Sequence, residues 1–181
     1  MYELIILSLL MRGTAHGYLI ARVINDVIGP LARASNGRIY PLLSKLEADG
    51  LIQAHTDEAA SGGRVSRSFA ITDSGRERFR ELMLDTASSP REYRELFAYK
   101  VTALESLTPP ERLRLIEHYI GFCRAHIAHL GSEEEDLVRN ADRYGHSAPT
   151  QARMRSVFNH LTQGWRLELD WALALLDTER A

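Results

Sequence analysis

Residues 36–52, NGRIYPLLSKLEADGLI, gather side chains suited to one kind of chemistry. Arg38 and Lys45 carry fixed positive charge. Tyr40 brings a phenol, Asn36 and Ser44 bring short hydrogen-bonding groups, and Gly37, Pro41 and Ala48 add almost no bulk. Ile39, Leu42, Leu43 and Leu46 recur at helical spacing. Plotted at about 100° per residue, they fall on one side of a helix. Gly37, Pro41, Ser44 and Ala48 fall on the other, with Tyr40 on one edge and Arg38 and Lys45 on the opposite edge. A helix that only meets water would carry long Glu and Lys side chains there. A bare face edged by cations permits close approach to a polyanion. A DNA major groove, about 12 Å wide, accepts one helix. Arg38 and Lys45 would reach phosphates or base edges, and the Tyr40 hydroxyl would donate to phosphate.

Pro41 fits that reading. A proline inside a helix loses a hydrogen bond and crowds the carbonyl four residues back. Here that carbonyl belongs to Gly37, which can adjust. The spacing places Pro41 near the first turn, where few intrahelical donors are due.

A second cationic group follows in GGRVSR, residues 62–67. Arg64 and Arg67 have no acidic residue between Ala59 and Thr72. Arginines on a glycine-bearing tip suit phosphate or a narrow minor groove.

The elements around these groups are readable in outline. An apolar helix at 3–11 ends near Gly13, and a second runs from about Ala15 to Ile28. Its inner stripe is Leu19, Ile20, Val23, Ile24 and Val27. Ser35 or Asn36 caps the third helix, and Asp49-Gly50 ends it. Residues 51–56 and 67–72 read as strands joined by a polar tip. Thr72 caps a helix starting around Asp73. A short third helix with a hairpin behind it is the organisation of a winged helix-turn-helix, assigned to residues 1–88. Residues 89–181 read as a helical dimerisation domain. It comprises a stripe of Tyr93, Leu96, Phe97, Val101, Leu104 and Leu107, a long helix opened by the Thr108–Glu111 capping box, and a last helix at 151–178 bearing Trp165. The fold class is mainly α with a small β-hairpin.

Bulk properties exclude little but exclude it cleanly. The net charge is −2 in 181 residues, with 45% hydrophobic and 25% charged residues, as in ordinary soluble domains. Cys123 is the single cysteine, so no intrachain disulfide or cysteine zinc cluster forms. It falls on the apolar side of its helix. The run from Leu4 to Met11 is too short to span a bilayer and has no basic segment ahead of it. A cytoplasmic protein without membrane contact is expected.

The segments HGYLI (16–20), GRIYPLLSKLEADGLI (37–52) and GGRVSRSFAITDSG (62–75) resemble the PadR family of bacterial transcriptional regulators in order and spacing. Val65 and Ser66 stand where that family's wing usually has a proline. The resemblance implies a dimeric repressor on an inverted repeat in double-stranded DNA, often released by a small aromatic or hydrophobic effector. Some members activate instead, and some respond to no known ligand. An effector site at the junction of the two halves would draw on His16 and Tyr18, with Tyr93 and Phe97 four residues apart on one helix face. A rival site would use Trp165 or Trp171.

Other constellations carry less. His126 and His129 are one turn apart, but His118 and His129 are roughly 16 Å apart along the helix and cannot share an ion. No catalytic set, metal motif or cofactor loop is present, so no enzyme activity and no cofactor are expected. A helical protein-interaction module is the competing class.

Overall fold

The structure is a computed structural model that describes residues 1–29, 36–57, 66–88 and 90–181. The hairpin tip with Arg64, the alternative cap Ser35 and the side chain of Asn36 lie outside the described residues.

The first helix, α1 (Tyr2–Met11), is apolar almost all round, and Leu4, Ile5, Ile6, Leu7 and Leu10 are all buried. Such a helix has to be wrapped on every side. Around it lie α2 (Gly17–Ile28), α3 (Asn36–Ala48) and α4 (Asp73–Leu84), with strands β1 (Ala15–His16), β2 (Ile52–Asp57) and β3 (Ser66–Ile71). The sheet order is β1-β3-β2, antiparallel throughout. Ala15 and His16 therefore pair with Phe69 and Ser68 rather than opening the second helix, which begins at Gly17. Extended backbone at His16 satisfies β3's free edge. Ile20 and Ile24 of α2 are buried as expected, but Val27 is exposed because the inner stripe runs out one turn before the helix ends.

One knot joins α3, β2 and α4. The Asp49-Gly50 signal is realised as a Schellman closure, with Gly50 donating to Glu47 O and Leu51 to Leu46 O. Gly50 has φ +73°, which favours glycine. The Thr72 hydroxyl donates to Gly50 O at 2.7 Å and accepts from Gly75 N at 3.0 Å, capping α4. The Thr72 amide donates to Leu51 O. Gly75 lies so close to Leu51 that a Cβ would stand 2.0 Å from its carbonyl oxygen.

Two compact units result, Met1–Ser106 and Leu107–Ala181. The first unit runs on past residue 88. Helix α5 (Tyr93–Val101) belongs to the first unit, where Tyr93 and Phe97 are buried. The stripe does not continue as one helix, since Leu104–Ser106 is a single 3-10 turn. Arg78 ties α4 to Glu3 of α1 at 2.8 Å.

The second unit has two long helices, not three. Helix α6 (Pro109–Arg139) and α8 (Ala148–Arg180) pack antiparallel, with the four-residue α7 (Ala141–Tyr144) between them. The capping box opens α6 as expected: the Thr108 amide and hydroxyl donate to Glu111 at 3.0 and 2.7 Å. Pairs along the hairpin fix its register. Arg112 meets Glu179, Arg180 meets Glu117, and the Tyr119 hydroxyl donates to Glu168 at 2.8 Å. His126 stacks on Trp165 with centroids 4.1 Å apart. Burial and the neighbouring His129 push His126 below its ordinary range.

Candidate nucleic-acid interface

Helix α3 presents the face its sequence describes. Ile39, Leu43 and Leu46 are buried in the first unit, with Leu42 at their margin. Gly37, Arg38, Tyr40, Pro41, Ser44, Lys45 and Ala48 are exposed. In one respect the helix differs from expectation. Pro41 is its sixth residue and stands beyond the first turn. It therefore removes one hydrogen bond, the one Gly37 O would accept. The ring adds no long side chain to the outward face.

Two neighbours set the edges of that face. The Arg38 guanidinium lies 5.9 Å from the Tyr2 ring centroid. Tyr40 packs across Gly17, where a Cβ would meet its Cε1 at 3.1 Å and its hydroxyl at 3.6 Å. The glycine of HGY is thus the space into which Tyr40 fits. His16 and Tyr18 flank it with rings stacked 5.7 Å apart.

The wing enters at its base. Arg67 on β3 stands opposite Thr56 on β2. It is not solitary, as its segment suggested: Nη2 contacts both Glu47 oxygens, at 3.0 and 2.9 Å. Glu47 was not singled out in the sequence, because twenty residues separate it from Arg67.

His16 stacks with Tyr18, and Tyr93 packs on Phe97 at 6.4 Å. Trp165 lies in the second unit, against His126 and Phe122. Tyr93 also lines a cavity of about 60 Å³ with Glu3, Leu4, Asp85, Ser88 and Lys100. His16, Tyr18 and Phe97 do not line it. Lys100 is only 2% exposed, and its ammonium donates to the Asp85 carbonyl at the end of α4. The Ser88 hydroxyl and the Ala87 and Ser88 amides hold the Asp85 carboxyl below its ordinary range.

Burial lowers the Lys100 pKa from 10.5 to about 8. Between those values the unfolded chain holds a proton that the folded chain has released. Stability contributed by this group therefore rises with pH across that window, and below it the full cost of burying the charge is present. Urea unfolding from pH 7.5 to 10 should show this rise in the parent and lose it in Lys100→Met. An identical pH profile in both would remove Lys100 as its cause.

Among the described residues no cluster of three His, Cys, Asp or Glu side chains is arranged to hold a metal. Likewise, no helix there is long and apolar enough to cross a membrane.

Residues 6–81, almost all of the α1–α4 region, match the family model of the Transcriptional regulator PadR-like family. This segment is similar to the PadR-like family. The match takes in α3 and its outward face as well as the wing and the Thr72–Gly75 knot. A curated relative, the Negative transcriptional regulator PadR of Bacillus subtilis (strain 168), is 26% identical over 145 residues, covering 80% of this chain and 79% of that protein. A crystal structure of Bacillus subtilis PadR in complex with operator DNA aligns with TM-score 0.44 and 21% identity over 98% of each chain. One in complex with p-coumaric acid aligns with TM-score 0.41 and 21% identity over 99% of this chain and 98% of that one. The PadR-like segment thus ends inside α4, ahead of α5 and the α6–α8 hairpin.

Proposed function

We propose that this chain is a DNA-binding transcriptional repressor that works in the cytoplasm as a homodimer and is released by a small aromatic or hydrophobic effector. The observation that carries the reading is the outward face of α3. It is bare along Gly37, Pro41 and Ser44 and edged by Arg38, Tyr40 and Lys45, and it lies within a PadR-like segment. In this reading α3 enters the major groove, Asn36 and Tyr40 reach the backbone, and Arg64 carries the wing to it. The work is binding, and no catalytic group is required.

The second unit supports a dimer. Two helices cannot enclose a core by themselves, and α8 leaves Val157, Leu161 and Leu167 exposed by 56%, 44% and 69%. A two-fold pair would set two α3 helices about 34 Å apart and read an inverted repeat. Sedimentation of the full-length chain should give a dimer at micromolar concentration, and Val157→Asp with Leu161→Asp should shift it toward monomer. A monomeric parent would sink the dimer.

The relative named as a negative regulator suggests the sign of action, and p-coumaric acid in a PadR crystal suggests the chemistry of the effector. An aromatic acid needs apolar walls and a few donors. Tyr93 and Phe97, His16 and Tyr18, or Trp165 supply them. A tenfold loss of operator affinity requires about 1.4 kcal/mol of coupling. The deciding experiment is a gel shift with the DNA upstream of the chain's own gene, repeated with a panel of phenolic acids. Absence of any shifted duplex rejects DNA binding. A shift that no acid reverses rejects this effector class.

A further inference from the structure

Arg67 carries charge at the wing's base, yet its surroundings are those of a group already engaged. Its Nη2 contacts both oxygens of Glu47, and its guanidinium lies 5.6 Å from the Phe69 ring centroid. Glu47 sits in the last turn of α3, where the helix's carbonyl ends disfavour a carboxylate. Arg67 offsets that charge. If Arg67 moved to a phosphate, Glu47 would lose this partner while facing the negative field of the duplex. The pair also spans two elements that must meet one duplex together. Its acid stands on the helix and its base on the second strand of the wing.

We infer that Arg67 and Glu47 are positioning residues: their ion pair is a strut that sets the wing against the C-terminal end of α3, and Arg67 does not hold a phosphate. The inference rests on the DNA-binding reading above and deepens it. Arg38 and Lys45 hold the backbone, whereas the strut fixes the angle at which helix and wing arrive.

The test uses the full-length chain and a duplex selected from a random pool by the parent. Arg67→Gln and Glu47→Gln each remove the strut. Each should weaken binding about tenfold, with the slope of log K against log salt unchanged. The double exchange Glu47→Arg with Arg67→Glu rebuilds the pair in reverse and should restore binding to within about threefold of the parent. A direct phosphate contact behaves otherwise. Arg67→Gln would then lower the slope by about 1.8 in a dimer, at about 0.9 for each phosphate. Glu47→Gln would bind more tightly, and the exchange would rescue nothing. Hydrogen exchange of the β2 and β3 amides reads the strut without DNA. It should quicken in both single variants and recover in the double exchange. If the parent selects no duplex but exchange follows this pattern, DNA binding falls and the strut stands. Exchange that is unchanged in all three variants overturns the strut.

Discussion

Arg38→Ala combined with Lys45→Ala is expected to lower DNA affinity on the order of 100-fold at low salt and to flatten its salt dependence. The reasoning is a count of charges. Each protomer loses two cations from the exposed edge of α3, so a dimer loses four. At about 0.9 for each phosphate neutralised, the slope of log K against log salt should fall by about 3.6. The loss should be largely independent of sequence if both groups meet phosphate, and base-selective at one position if Arg38 reads guanine. Arg38 also lies over Tyr2, a cation–π contact worth about 0.5–1 kcal/mol at an exposed site. A thermal melt therefore accompanies the binding curve. A folded double variant with the parent's affinity and slope would take α3 out of the interface.

Gly75→Ala should be the most damaging single methyl in the first unit, costing about 3–5 kcal/mol in urea unfolding. A Cβ there would stand 2.0 Å from Leu51 O and 2.8 Å from Ile71 Cγ1. The first of these is backbone and cannot swing aside as a side chain would. Relief requires α4 to move from Leu51. That breaks the Thr72 amide bond to Leu51 O and strains the hydroxyl that bridges Gly50 O and Gly75 N. Because Leu51 also closes the end of α3, the damage reaches the helix that carries Arg38 and Lys45. Gly131→Ala is the control. It is helical, and nothing lies within 4 Å of a Cβ there. It should be neutral or slightly stabilising. Equal effects at both positions would refute the packing argument.

The α3 face, the hairpin and the capped helices were legible because their signals are local. The 3.6-residue period placed Ile39, Leu43 and Leu46 inside, and Thr72 and Thr108 begin helices by short-range hydrogen bonds. What was not legible depends on distant partners. A stripe such as Tyr93 and Phe97 states that a helix has an inner face, not which unit covers it, and α5 joined the first. Nothing in the segment around Lys100 reveals the α4 carbonyl end that receives it. Arg67 read as solitary because Glu47 lies across the whole of β2. Pro41 stands just past the first turn near which its spacing sets it, as the sixth residue of α3. Spacing therefore sets the residues of the candidate site on one face of α3, but says nothing of the contacts that hold them there.

Both tryptophans, Trp165 and Trp171, lie on α8, and the first unit contains none. The chain is thus two optical compartments. Indole emission watches the α6–α8 hairpin, where Trp165 is stacked on His126 and Trp171 meets Tyr119 edge-on. Neither the α3 closure nor the Lys100–Asp85 contact includes an indole. Five of the seven tyrosines, Tyr2, Tyr18, Tyr40, Tyr93 and Tyr99, lie in the first unit. A melt that shows one transition by indole emission and two by tyrosine absorbance would resolve the halves without a label.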